Sequence, residues 1–155
     1  MTVTLRPETD ADIPFLQSVY ASTRADEMAL VDWPLEQQQE FVLSQFRFQR
    51  QHYKQYYSDS QFDVILVDDA PAGRLYVHRG PKEIRIVDIA LLPEFRGRGI
   101  GQGLLEGLQS EARAKGQPVS IHVERFNRAL RLYERLGFKI AGEQGPVYFY
   151  MEYRG

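Results

Sequence analysis

The chain has 155 residues, with 19 basic and 21 acidic side chains and no cysteine, which excludes disulfides, thiolate metal sites and cysteine nucleophiles. Its near balance of charge argues against a strongly basic nucleic-acid binder or a polybasic membrane protein. Without a leader pattern or an apolar run of roughly 18 residues, we expect one cytoplasmic domain over residues 1–155.

The first half of the chain alternates apolar residues at helical and strand spacing, with turn residues between them. Helix boundaries are indicated by Asp10, a candidate cap, and by Pro34 at a first turn. The predicted elements, in order, are a strand at Val3–Arg6, a helix near Ala11–Tyr20, a helix from Pro34 to about Tyr53, and strands at Phe62–Val67 and Gly73–His78 around a turn at Asp68–Pro71.

The second half begins with a long apolar strand and continues through two further helices. Gly137 is a plausible cap at the end of the last helix. The order β-α-α-β-β-β-α-β-α-β-β predicts an α/β fold with helices on a mixed sheet. The predicted elements are strands at Glu83–Leu91 and Val119–Glu124, a helix beginning near Ile100, a helix at Asn127–Leu136, and strands at Lys139–Glu143 and Val147–Tyr153.

A glycine-rich stretch, RGRGIGQG, separates the long strand from the third helix at Arg96–Gly103. Free amide groups and the helix dipole favour an anion at such a helix start, and glycines let it approach the backbone. The nucleoside-triphosphate loop GxxxxGK[ST] is absent, and the dinucleotide pattern GxGxxG fails because Gln102 and Leu104 stand where glycine is needed. A different phosphate-bearing ligand is therefore predicted.

The stretch does match R-x-x-G-x-G, through Arg96, Gly99 and Gly101. Together with IALLPEFRGRGIGQGLL at Ile89–Leu105 and NRALRLYERLGF at Asn127–Phe138, it resembles the GNAT N-acetyltransferase superfamily. The resemblance implies a mixed, mostly antiparallel sheet of about seven strands flanked by four helices. It also implies acetyl-CoA as cofactor, and direct transfer of its acetyl group to a primary amine of a small molecule or a peptide or protein N-terminus.

The resemblance also assigns roles to individual residues. The amide of Leu91 would donate to the thioester carbonyl oxygen, Asn127 would contact the cofactor near its pantetheine arm, and Tyr133 would protonate the departing thiolate. The residue pattern alone also fits Tyr133 as an aromatic residue of the core, and it fits Asn127 as a helix cap. Cofactor contacts are expected at Ile89, Ala90, Leu91, Arg96, Gly97, Arg98, Gly99, Ile100, Gly101, Asn127 and Tyr133.

The general base is left open among His122, Asp88, Glu124 and an ordered water chain. Histidine has an unperturbed pKa that suits a general base, but the sequence also fits His122 as a histidine on the surface of the sheet. Asp88 lies inside the apolar run IVDIALL, so it must be functional, solvated by a cleft, or paired with an arginine. The histidines have no metal-ligand spacing, and no metal is predicted.

Acceptor specificity in the family comes from the segment that joins the first two helices, here within the aromatic stretch Ala29–Asp59. The acceptor is expected to be a small-molecule or peptide amine, with no nucleic acid or membrane partner. A homodimer is an expectation from the family, and the C-terminal strand VYFYMEY is either its interface or simply a strand of the sheet. The alternative function is a protein that binds or senses acyl-CoA without turnover.

Overall fold

The computed structural model describes all 155 residues and has the predicted order of strands and helices. Its strands join in the order β1-β2-β3-β4-β5-β7-β6, with β4 parallel to β5 and antiparallel pairing at β1–β2, β5–β7 and β6–β7. This confirms the mixed, mostly antiparallel sheet with four helices. The elements are β1 Val3–Pro7, α1 Ile13–Met28, α2 Leu35–Tyr56, β2 Gln61–Val67, β3 Ala70–Arg79, β4 Ile84–Leu91, α3 Ile100–Lys115, β5 Val119–Glu124, α4 Leu130–Arg135, β6 Lys139–Gln144 and β7 Tyr148–Tyr153.

The chain divides into two compact units, and β3 and β4 contribute residues to both. The first unit comprises residues 1–76 and 88–96, and the second comprises 77–87 and 97–155. A single functional domain over 1–155 stays a prediction. None of the helices combines the length and the apolar character that a membrane crossing requires.

In the first unit, α1 packs against α2 through an apolar cluster. Leu16, Tyr20 and Phe46 are its buried members, and the ring centroids of Tyr20 and Phe46 lie 6.0 Å apart. Burial of such side chains contributes roughly 1.5–3 kcal/mol each. This cluster fixes the two helices whose inward residues reach β3 and β4.

A two-residue turn joins β2 to β3 in the first unit. Asp68 and Asp69 have φ angles of +49° and +68°, as a tight hairpin turn requires at both central positions. Aspartate tolerates this conformation better than most residues, and Asp68 Oδ1 also accepts a 2.8 Å hydrogen bond from the amide of Thr2. The predicted turn is confirmed, and β3 begins earlier than expected, at Ala70.

In the second unit, α3 packs beside β5 with one apolar face. Leu105, Leu108 and Ala112 are buried there, as the helical spacing predicted. Gly137 follows α4 with a φ of +96°, and its amide donates to Glu134 O at 3.0 Å. The predicted glycine cap is therefore confirmed.

Two helix starts differ from prediction. A 3₁₀ turn at Asp10–Asp12 precedes α1, and the amide of Thr9 donates to Asp12 Oδ2 at 2.8 Å, so Asp12 and not Asp10 supplies the capping carboxylate. Arg6 also donates to both oxygens of Asp12, at 2.8 Å each. This pair draws Asp12 inward, which local propensity does not reveal. The second helix, α2, begins at Leu35, one residue after Pro34.

Candidate functional site

The loop before α3 contains two glycines in the left-handed backbone region. Gly97 and Gly99 have φ angles of +74° and +78°, which side-chain-bearing residues adopt only with strain. Gly99 occupies the N-cap position of α3 and supplies no capping side chain. The loop conformation therefore depends on glycine at these two positions.

Two more glycines in the first turn of α3 have ordinary helical angles and open surroundings. A Cβ atom added at Gly101 or Gly103 would meet no other atom within 4 Å. The first i→i−4 hydrogen bond of α3 runs from Gly103 N to Gly99 O at 3.0 Å, so the preceding amides lack intrahelical partners. The exposed amides and the positive helix end fit a phosphate anion.

Arg96, the first residue of the motif, directs its guanidinium toward the protein. Its Nε donates to the carbonyl oxygen of Leu91 at 3.0 Å, and its Nη2 lies 3.4 Å from Ser22 Oγ. The side chain therefore braces the end of β4 against α1. A contribution of the Arg96 charge to phosphate binding stays a prediction.

The backbone of β4 near Leu91 has a defined orientation in the first unit. The amide of Leu92 donates to Ala72 O on β3 at 2.9 Å, and a Cβ atom on Gly73 would overlap the carbonyl oxygen of Ala90. Because backbone groups alternate along a strand, the amide and carbonyl of Leu91 point to the edge of β4 opposite β3.

On that edge, the parallel pairing of β4 with β5 is short. Its register covers Ile84↔Val119, Arg85↔Ser120 and Ile86↔Ile121. Residues 87–91 of β4 lie outside this register, whereas β5 stays paired with β7 as far as Glu124.

Asp88 is paired with an arginine. Its Oδ2 accepts hydrogen bonds from Arg74 Nη2 at 2.6 Å and from the hydroxyl of Tyr53 at 3.1 Å. Arg74 Nη2 also donates to Gln49 at 2.9 Å, and Arg74 is only 3% exposed. Burial has the largest effect on the pKa of Arg74 and lowers it, but the charge of Asp88 together with the effects of Tyr76 and Tyr53 outweighs burial, so the pKa is raised. Of the three interpretations of Asp88 that the sequence left open, the structure therefore shows the pairing with an arginine.

His122 lies on β5 among polar neighbours. Its Nδ1 is 3.1 Å from Nη1 of Arg85, and its ring centroid is 5.4 Å from that of Tyr150. Burial lowers the pKa of His122, and the charge of Arg85 lowers it further, against an opposing effect of Glu83. His122 is therefore uncharged at neutral pH, and one ring nitrogen faces an arginine.

Tyr133 and Asn127 both have structural partners. Tyr133 is 4% exposed and its ring packs edge-on against Phe138, with centroids 5.8 Å apart. Asn127 Oδ1 accepts a 2.8 Å hydrogen bond from the amide of Ala129 in the turn before α4, but Ala129 is the N-cap of α4 and no side chain caps that helix. Tyr133 therefore has the core role considered for it, Asn127 stabilises the preceding turn instead of capping the helix, and the catalytic and cofactor-binding roles of both residues stay predictions.

The aromatic segment before β2 is partly buried. Phe46 is buried, whereas Phe48 is 74% exposed and Tyr56 is 65% exposed. A groove of about 360 Å³ runs between α1 and α2, with Phe46 at its base. No group of three or more His, Asp or Glu side chains is placed to hold a metal ion.

Three residues that shape the site were not identified from the sequence: Gly73, Arg74 and Arg85. Gly73 does carry a signal, because a glycine inside a strand often marks close approach of another backbone. An arginine in a strand gives no comparable indication of its partner in the sequence. The partner is determined by which strands pair and in which register. Arg74 lies 14 residues from Asp88, and Arg85 lies 37 residues from His122.

Comparisons with known proteins agree with this geometry. A model of the acetyltransferase (GNAT) family matches residues 24–138. Mycothiol acetyltransferase from Corynebacterium aurimucosum is 39% identical over 79 residues, which are 49% of this chain and 22% of that protein. The chain thus covers about a fifth of the length of that curated relative.

Two solved structures share the fold along the whole chain. The PaiA N-acetyltransferase from Thermoplasma acidophilum, in complex with coenzyme A, has a TM-score of 0.73 at 20% identity, with 100% of both chains covered. An acetyltransferase from Thermus thermophilus has a TM-score of 0.71 at 19% identity, with 100% of this chain and 98% of that chain covered. At these identities the likeness establishes the fold.

Proposed function

The chain belongs to the acetyltransferase (GNAT) family, which uses acetyl-CoA, and we propose that it transfers an acetyl group directly from acetyl-CoA to a primary amine. The acceptor is a small molecule or the N-terminus of a peptide or protein. The observation that carries the proposal is the left-handed turn at Gly97 and Gly99, which opens into the uncovered first turn of α3.

The residues of this loop fit the diphosphate of coenzyme A. Oxygen atoms of a diphosphate accept several backbone hydrogen bonds at once, and open space at Gly101 lets them approach the helix start. We assign the diphosphate to the amides of Arg96, Gly97, Arg98, Gly99, Ile100 and Gly101.

The far edge of β4 fits the pantetheine arm. Ile89, Ala90 and Leu91 would receive it as an added strand, since the amide and carbonyl of Leu91 point away from β3. Asn127, near the end of β5, would contact the same arm. The Leu91 amide would then donate to the thioester oxygen, a role that is worth roughly 3–4 kcal/mol where measured.

Bound acetyl-CoA supplies a thioester carbon that the acceptor nitrogen attacks, forming the C–N bond as the C–S bond breaks. Leu91 N–H would stabilise the negative charge that develops on the carbonyl oxygen. Tyr133 would give its hydroxyl proton to the departing sulfur. Burial of Tyr133 favours this role, because a thiolate that is poorly hydrated is more basic.

Four groups are candidates for the base that removes a proton from the amine, and they differ in their surroundings. Oδ2 of Asp88 already accepts hydrogen bonds from Arg74 and from the hydroxyl of Tyr53. His122 has a ring nitrogen directed at Arg85. Glu124 lies on the same face of β5 as His122, and an ordered water chain is the fourth candidate.

A second function is binding or sensing of acyl-CoA without turnover. It is favoured by the hydrogen-bond partners that already occupy Asp88 and His122. The two functions separate in one experiment. Acetyl-CoA is incubated with the protein and a panel of small amines, amino acids and peptides, and free thiol is measured. Amine-dependent thiol release supports the transferase, whereas calorimetric binding of acetyl-CoA without release across the panel supports the sensor.

The remaining partner predictions follow from the family and from composition. We propose a cytoplasmic protein that forms a homodimer and has no nucleic-acid or membrane partner. Sedimentation equilibrium tests the dimer, and nuclease treatment during purification tests for carried nucleic acid.

A further inference from the structure

Arg125, the first residue after β5, ties the loop that leads into α4 to the hairpin of β6 and β7. Its Nε donates to Pro146 O at 2.8 Å, and its Nη2 lies 2.8 Å from Glu143 Oε1. Its guanidinium carbon lies 4.5 Å from the ring centroid of Phe149, and its own amide donates to Val147 O at 2.9 Å. The backbone and the side chain of one residue therefore hold the same hairpin.

The loop that Arg125 anchors depends on tertiary contacts for its conformation. The next residue, Phe126, is 99% exposed, so its ring adds no packing against the sheet. The helix that follows, α4, has six residues and no side chain caps its start. Helices shorter than about 12 residues are marginal by themselves in water. Arg125 supplies the anchoring contacts on the N-terminal side of this loop.

Asn127 lies in the same loop, and its side chain has one defined orientation. Its amide donates to Glu124 O at 3.0 Å, and its Oδ1 accepts the 2.8 Å bond from the amide of Ala129. An N–H group bonds to the oxygen of a side-chain amide and not to its NH₂ group, so this contact assigns both atoms. The NH₂ group makes no hydrogen bond within the chain, and the residue is exposed. Asn127 therefore presents two free donors, which suit a carbonyl oxygen.

We propose that Arg125 is a positioning residue for the cofactor. By clamping the loop to the hairpin, it holds Asn127 so that the free NH₂ group donates to an amide carbonyl oxygen of the pantetheine arm. The inference rests on the proposed binding of acetyl-CoA, and the contacts that carry it all lie within the second unit. Arg125 acts on the cofactor only through Asn127.

The guanidinium group suits this clamp. Its planar fork donates to a carbonyl oxygen and a carboxylate at the same time, while its face lies on an aromatic ring. Glu143 is 60% exposed, so the ion pair contributes little by itself. The bond to Pro146 O and the contact with Phe149 carry most of the constraint.

Asn127 is the only asparagine of the chain, so labelling with ¹⁵N-asparagine gives one backbone amide signal and one side-chain NH₂ pair in NMR spectra of the full chain. Without ligand, Arg125→Met should broaden these signals or move them toward the values of an unfolded peptide. Arg154→Met removes an exposed ion pair with Glu152 and is the matched control, which should leave them unchanged.

Urea unfolding shows which variants are folded. Should Arg125→Met not fold, Arg125→Lys replaces it, and we expect it to perturb the same signals because lysine lacks the planar fork. Wild-type signals of Asn127 in the folded variant would overturn the proposal.

Two ligands separate the pantetheine arm from the diphosphate. Coenzyme A should shift the NH₂ signals of Asn127 in the wild type, whereas 3′-phospho-ADP, which has the diphosphate and lacks the arm, should not. Equal shifts with both ligands would overturn the assigned contact. If the proposed cofactor binding itself fails, coenzyme A gives no heat with the wild type, and the comparison of the free proteins still tests the clamp.

Calorimetry tests whether Arg125 acts through Asn127. Arg125→Met should weaken the binding of coenzyme A about tenfold and leave that of 3′-phospho-ADP unchanged. In the background of Asn127→Ala, Arg125→Met should cause no further loss, because two residues that serve one contact have non-additive effects. Equal weakening of both ligands, or additive losses in the double variant, would overturn the positioning role.

Discussion

The carbonyl oxygen of Leu91 accepts a 3.0 Å hydrogen bond from Nε of Arg96. This contact, within the first unit, links the end of β4 to the first residue of the glycine motif. Nη2 of Arg96 extends the brace to Ser22 on α1. The arginine of the motif therefore has a positioning role that its charge alone does not suggest.

Gly73→Ala tests whether close contact between β3 and β4 positions the Leu91 amide. The added methyl would overlap Ala90 O, so β4 must shift, at a cost of roughly 1–3 kcal/mol in the free energy of unfolding. We expect kcat to fall more than the affinity for coenzyme A. Gly142→Ala, on β6 with no atom within 4 Å of the new methyl, is the strand control. Equal kinetics in the two variants would exclude the positioning role.

Asp88→Asn tests whether Asp88 is a structural partner of Arg74. Removing the carboxylate leaves a buried guanidinium without its counter-ion. We expect the free energy of unfolding in urea to fall by about 3 kcal/mol. This is the lower end of the range for breaking a buried ion pair, because Asp88 is 16% exposed. The double variant Arg74→Met, Asp88→Leu should recover most of that loss. A folded Asp88→Asn protein with turnover reduced about a thousandfold would instead identify Asp88 as the base.

The loop and its helix were predictable because their causes are local. Left-handed angles at Gly97 and Gly99 and the cap at Gly137 depend on residue types that the sequence states directly. The partners of Asp88 and His122 were not predictable, because strand register brings Arg74 and Arg85 to them from distant positions. Sequence therefore predicted the conformation of the glycine loop, and only the structure revealed the partners of Asp88 and His122.

Asp12 should make unfolding depend on acid pH. Hydrogen bonds from Arg6 and from the Thr9 amide hold the pKa of Asp12 well below its usual range, against the opposing effect of burial. The resulting stability is present above the unfolded pKa of about 3.9 and is lost as pH falls below it. Urea unfolding between pH 3 and pH 6 should show this slope, and Asp12→Asn should flatten it. An unchanged slope would mean that the pair does not form.

Tyr133→Phe tests the general acid. The ring still packs against Phe138, so we expect little loss of affinity for coenzyme A. Turnover should fall about 100-fold or more, since a positioned acid contributes on that order. Phe138→Leu alters the same aromatic contact without removing a hydroxyl and is the matched control. Unchanged turnover in Tyr133→Phe would leave Tyr133 as a core residue alone.

The central claim is that bare amides at the start of α3 bind the diphosphate of coenzyme A, and calorimetric titration of coenzyme A tests it most directly. The wild type should bind one molecule per chain. Gly101→Leu should fold normally, because the side chain enters open space, yet lose binding at least about tenfold, whereas Gly107→Leu, equally open on the same helix, should bind as the wild type does. No heat from the wild type, or equal binding by both variants, would contradict the account.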